Sequence, residues 1–254
     1  MLKLAYFKEK VTMSYFYDII LIILVLAYFI EGKRKGFTRS VVGLVGGIIS
    51  ILLASFLSNY ISECVFDTFM RQNITNEVSG VLQDTIGQDI NTRSQAILAI
   101  FPPFVSNIFS YYGVTAQSIN VGIFTASQSA TTQVVNIIAP IIIDLMRKLS
   151  FVIISFLLLF MVRSLTRPVI KLVRIPIIKQ IDGLLGGILG LAKCALIVFI
   201  FSFIIYFITP LMATVPEAIK SETINSTYIF KYVYYNNPLN TMLNTVNITD
   251  LLNF

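Results

Sequence analysis

Residues 183–208 read GLLGGILGLAKCALIVFIFSFIIYFI and carry one charge, Lys193. At 1.5 Å of helical rise per residue this run reaches about 39 Å, further than the ~30 Å hydrocarbon core of a bilayer. It is therefore expected to cross a membrane. The composition agrees: of 254 residues 56% are hydrophobic and 13% charged, with a mean hydropathy of +0.81. Soluble domains carry about 25% charged residues, so an ordinary soluble domain and a disordered chain are both excluded.

Three other stretches qualify or nearly do. Tyr15–Ile30, YFYDIILIILVLAYFI, has a single charge at Asp18. The basic Glu-Gly-Lys-Arg-Lys that follows it is an anchor rather than a signal-peptide cleavage site. Residues 37–57 hold the uncharged core VVGLVGGIISILLASFL. Residues 149–162, LSFVIISFLLLFMV, are short unless the helix extends back to 137. The predicted architecture is an all-α integral membrane protein of four transmembrane helices. Its order is spans at 15–30 and 37–57, an outer helical region at 58–148, a span at 149–162, a basic segment at 163–182, a span at 183–208 and an outer tail at 209–254.

Charge sets the orientation. Residues 31–39 sum to +3 and residues 163–182 to +4, whereas residues 58–130 sum to −3. Short basic segments between spans face the cytoplasm, which places both termini and 58–148 outside. Lys33, Arg34, Lys35, Arg39, Arg163, Arg167, Lys171, Arg174 and Lys179 are then positioned to meet anionic lipid headgroups. Pro168 and Pro176 are expected to interrupt the second basic segment. Nucleic-acid binding is not expected, because the positive charge is explained by topology.

In the outer region, Val78, Val81, Leu82 and Ile86 share one helical stripe over 77–90. AILAIFPPFVSNIFSYYG at 96–113 is apolar and broken at Pro102-Pro103. It fits either amphipathic helices packed on the bundle or at the interface, or a re-entrant element lining a cavity. Residues 115–132 look like a flexible or loosely helical connector. The tyrosine-rich tail, with Tyr228, Tyr232, Tyr234 and Tyr235, is expected to form an interfacial aromatic helix.

GLVGGIIS at 43–50 and GLLGGILG at 183–190 agree at five of eight positions and open equivalent helices, the pattern of a parallel duplication into two hairpins. Small residues let helix backbones approach closely in lipid. Gly43, Gly47, Ser50 and Ala54 on one span, and Gly183, Gly187, Gly190 and Cys194 on the other, form stripes expected to pack against each other. These faces would also serve a homo-oligomer.

Chain composition limits the chemistry. Without histidine there is no His-based triad, metal site or proton shuttle. Cys64 and Cys194 are too few for a zinc ribbon or disulfide framework. No catalytic, metal-binding or cofactor-binding residue is assigned, and no cofactor is expected. Asp18 and Lys193 are each roughly 16–18 Å from the inner ends of their spans, counted at 1.5 Å per residue, and are expected to form a buried charge pair. Asp144 and Lys148, spaced i and i+4, predict an intrahelical pair beside Arg147.

KRKGFTRSVVGLVGGIIS and DGLLGGILGLAKCALIV resemble the first hairpin and fourth helix of the colicin V production protein (CvpA) family. The resemblance implies a bacterial inner-membrane protein of four helices, linked to colicin V production or export and to envelope integrity, with no established enzymatic activity in the membrane part. The expected partners are membrane lipids, met by the basic segments, and a second copy or an envelope protein, met by helix contacts. A channel or transporter subunit built on Asp18 and Lys193 is the alternative. Some actinobacterial relatives continue into an extracytoplasmic serine protease, which supports an outside C-terminus; a chain without histidine cannot hold that protease.

Overall fold

In a computed structural model the protein is all-helical, with no strand among the described residues. These are residues 2–124, 130–172, 179–212 and 214–243, with side chains described except at 2–14, 121–124, 165–172 and 179–180. In chain order the helices are α1 (Leu2–Lys35), α2 (Phe37–Val65), α3 (Arg71–Asp84), α4 (Ile90–Ala99), α5 (Pro103–Tyr111), α6 (Ala116–Phe124), α7 (Ala130–Leu172), α8 (Lys179–Ile208), α9 (Ser221–Asn225), α10 (Phe230–Tyr235) and α11 (Pro238–Leu243). Four segments are long and apolar enough to cross a membrane: Tyr15–Lys35, Phe37–Asp84, Ala130–Ser164 and Ile181–Leu211.

The chain forms two compact units. The first comprises residues 1–56, 151–209 and 215–242. Here α1 and α8 run antiparallel, joined by Gly-on-Gly contact near their basic ends. Gly36, at φ +77°, stops α1 and lets α2 begin one residue later. A left-handed glycine after a helix is the usual way to satisfy its last carbonyls, and the Gly36 N–H reaches the Gly32 carbonyl at 3.1 Å. Asp182, in the first turn of α8, accepts the Phe37 N–H at 2.8 Å and so caps α2 from outside it. The tail is part of this unit. Phe230 and Tyr234 are buried in a cluster with Cys194, Val198, Ile205 and Ile224. The tyrosine-rich stretch is helical over α10 and packs on this unit through Phe230 and Tyr234, while Tyr228, Tyr232 and Tyr235 stay exposed.

The second unit comprises residues 57–150, 210–214 and 243–254. Its core joins Phe66, Val78, Ile97, Phe109, Ile119, Val134 and Ile138. The apolar stripe of α3 is Ile74, Val78 and Leu82; Ile86 falls beyond the helix end and is exposed, correcting its place on the stripe. Asp89 accepts the Asn91 N–H at the start of α4. Pro103 begins α5, where a missing N–H costs nothing. Ile97 of α4 and Val105, Ile108 and Phe109 of α5 are buried in this core, so these helices pack on protein. The expected connector is helical over α6, with Ile119 wholly buried.

The third span does extend back through 137, as far as Ala130, within α7. The expected interruption at Pro168 is corrected, because the helix continues to Leu172. Pro168 supplies no backbone N–H, so one intrahelical hydrogen bond is lost there. Pro176 lies outside the described residues.

Candidate functional site

Three polar or close-packed centres carry the chemistry of the chain. The first is the α1–α8 seam. A Cβ on Gly186 would meet the Gly32 carbonyl oxygen at 2.5 Å and the Gly36 carbonyl carbon at 2.8 Å. One on Gly190 would strike the Tyr28 carbonyl and lie 3.2 Å from Gly32 Cα. One on Gly187 would lie 2.7 Å from Phe29 Cε2, and one on Gly183 an ordinary 3.5 Å from the Lys33 carbonyl. The seam therefore pairs Gly186 and Gly190 of α8 with Gly32 of α1 and with Gly36 just past its end, glycines spaced four apart on each side. That arrangement corrects the expected packing of the α8 stripe against the α2 stripe. On α2 a Cβ at Gly43 would face Lys193 Nζ at 3.7 Å, and one at Gly47 would face Leu196 Cδ1 at 3.6 Å. Ser50 donates to the Gly46 carbonyl, and Ser50 and Ala54 are buried. Gly32, Gly36 and Gly186 were missed at the sequence level because Gly32 and Gly36 sit within a basic turn. Their four-residue spacing was the available signal.

The second centre is Asp18. Its carboxylate accepts three backbone N–H groups from the tail: Tyr228 at 2.7 Å on Oδ2, and Ile229 and Phe230 at 3.0 and 3.1 Å on Oδ1. The neighbouring Tyr17 hydroxyl donates to the Ala218 carbonyl at 2.9 Å, and its ring stacks on Phe230 at 4.9 Å. The expected Asp18–Lys193 pair is not formed. In the antiparallel register Gly32 faces Gly186 and Tyr28 faces Gly190, so ten residues back from Tyr28 brings Asp18 level with position 200. Lys193 lies about 10 Å away along the axis, seven residues at 1.5 Å each. The equal depths counted from sequence fail because α1 and α8 end at different levels. Lys193 instead lies within electrostatic reach of Glu31, Lys35 and Arg163. It extends toward the basic ends of the helices, as a lysine in lipid does to keep its ammonium near water.

The exposed headgroup candidates are Lys33, Arg34, Lys35, Arg39 and Arg163. Lys35 pairs with Glu31 one turn back. The side chains of Arg167, Lys171 and Lys179, and the whole of Arg174, lie outside the described residues.

The third centre is in the second unit. Asp144, Arg147 and Lys148 of α7 are 1%, 8% and 6% exposed. Lys148 Nζ is 2.7 Å from Asp144 Oδ2. The Tyr112 hydroxyl, from the turn after α5, donates to Asp144 Oδ2 and accepts from Lys148. Lys148 also stands 5.3 Å from the centroid of the Tyr112 ring. Arg147 Nη1 is 3.9 Å from Asp144 Oδ1, too long for a hydrogen bond. Arg147 Nε and Nη1 and Asp144 Oδ1 are buried without a hydrogen-bond partner among the described residues. The i, i+4 spacing predicted the Asp144–Lys148 pair; nothing in the sequence pointed to Tyr112, thirty-two positions from Asp144.

No group of three or more metal-ligating side chains occurs among the described residues. The family model for the colicin V production protein matches residues 17–87 and 94–234, most of the chain and all three centres. The protein belongs to the colicin V production protein family. No curated protein and no solved structure matches it. Within this colicin V production family member, the three centres divide between the two units: the seam and Asp18 in the first, the Asp144 cluster in the second. Family membership and the four long apolar helices make it a multi-pass membrane protein.

Proposed function

We propose that this family member is a non-catalytic protein of the bacterial inner membrane that serves toxin production or export and envelope homeostasis through helix and partner contacts. Its partners are membrane lipids and a second copy or an envelope protein, not nucleic acid. The observation that carries this reading is the use made of the first unit's surfaces. Its inward faces are closed backbone to backbone at Gly32, Gly186 and Gly190. Its outward faces, with Ile19, Ile23 and Leu26 on α1 and Ile48, Leu52 and Phe56 on α2, are large, apolar and exposed. Such faces meet lipid or another helix. The carboxylates of Asp18 and Asp182 cap backbone N–H groups, which favours structural over catalytic roles.

Both termini lie outside in this reading, supported by the exposed Lys33, Arg34, Lys35 and Arg39 at the α1–α2 turn. The similarity of GLVGGIIS and GLLGGILG further supports a duplicated hairpin.

A transport role is the second reading. It rests on the buried Asp144, Arg147 and Lys148, because ionisable groups buried in a membrane helix commonly line a path. Reconstitution in liposomes separates the two. A protein that works by partner contacts adds no ion or solute flux to that of empty vesicles. Flux that disappears in Lys148→Gln would replace the first reading with the second.

A further inference from the structure

The formal charges of Asp144, Arg147 and Lys148 sum to +1 in a site almost closed to solvent. Asp144 and Lys148 answer each other, with Tyr112 bridging them. Arg147 is left over. It approaches Asp144 at 3.9 Å without bonding, and its Nε and Nη1 have no acceptor among the described residues. A shift of about 1 Å would close Nη1 on Asp144 Oδ1 and bring that contact to hydrogen-bond length. It would leave Nε unsatisfied and the surplus positive charge in place. A buried guanidinium whose N–H groups lack acceptors carries a desolvation cost that a further counter-charge would offset.

We propose that Arg147 binds a small monovalent anion, of halide or short-carboxylate size, beside the Asp144–Lys148–Tyr112 cluster. A compact anion is proposed because Arg147 is only 8% exposed. Arg147 supplies the N–H donors and the charge. Asp144 lowers the affinity by repulsion. The inference does not depend on whether the protein works by partner contacts or by transport.

The test is thermal unfolding of the full-length protein in a nonionic detergent, in sodium chloride or sodium acetate against sodium gluconate at equal ionic strength. A ligand that binds only the folded state raises the unfolding temperature saturably. Chloride and acetate are expected to do so and gluconate is not. Arg147→Gln should abolish the difference between the salts. Asp144→Asn should lower the half-saturating chloride concentration by about threefold or more, because a repelling charge is removed. These opposite signs distinguish binding from a general loss of packing. Equal unfolding temperatures in all three salts, or a salt difference that survives Arg147→Gln, would overturn the proposal. Should Arg147→Gln not fold, the Asp144→Asn arm decides: an unchanged or higher half-saturating concentration would overturn it.

Discussion

Asp18 Oδ1 accepts the backbone N–H of Phe230 at 3.1 Å across 212 positions of sequence, so a carboxylate of the first span fixes the start of a helix in the C-terminal tail. With the Tyr228 and Ile229 N–H groups on the same carboxylate, Asp18 performs the work of an N-cap without being on the helix it caps.

Asp18→Ala should therefore loosen the tail. Hydrogen bonds to a charged acceptor contribute about 1.5–3 kcal/mol each at most and are not additive; a loss of roughly 2 kcal/mol is expected. Amide hydrogen exchange at 228–231 should quicken selectively. In a double-mutant cycle, Asp18→Ala and Lys193→Ala should act additively, since the two residues do not meet. A coupling above about 0.5 kcal/mol would contradict the geometry.

The α1–α8 seam predicts an order of harm. Gly186→Ala and Gly190→Ala drive a methyl group into backbone atoms of α1 and should lower the detergent melting temperature most. Overpacking of this sort typically costs about 1–3 kcal/mol. Gly187→Ala meets the edge of the Phe29 ring and should cost less, as the ring can shift. Gly43→Ala and Gly183→Ala make ordinary contacts and should be close to neutral. Equal effects at Gly43 and Gly190 would show the seam to be elsewhere.

Tyr234 gives a pH dependence. Burial pushes its phenol up to about 12 from the ordinary 10, with a hydrogen bond to Thr209 opposing the rise. The unfolded chain then loses its proton first as pH climbs. Stability from this group is complete below pH 10 and falls as pH rises toward 12, by at most about 3 kcal/mol. Unfolding followed from pH 9 to 12 should show a smaller decline in Tyr234→Phe, which has no proton to lose, than in the parent.

Cys64 is exposed and Cys194 buried. A membrane-impermeant thiol reagent applied to intact cells should label the protein, and Cys64→Ser should remove the label while Cys194→Ser leaves it. Protection of Cys64 until lysis would invert the proposed orientation.

The sequence by itself determined the solvent and the number of crossings. Long apolar runs in a chain with 13% charge have no stable place in water, and that constraint is local to each run. The i, i+4 spacing that joins Asp144 to Lys148 is also local, and it was legible for that reason. What the tertiary structure alone decided is which faces meet. GLLGGILG offers two small-residue stripes, Gly183–Gly187 and Gly186–Gly190, and a rotation of less than a quarter turn selects between them; the close approach of the Tyr28, Gly32 and Gly36 backbone selects the second. The partners of Asp18 and the bridging Tyr112 were hidden for the same reason. A hydrogen bond between residues far apart in the chain depends on helix register, and register is fixed by the summed packing of two surfaces rather than by any motif on one of them.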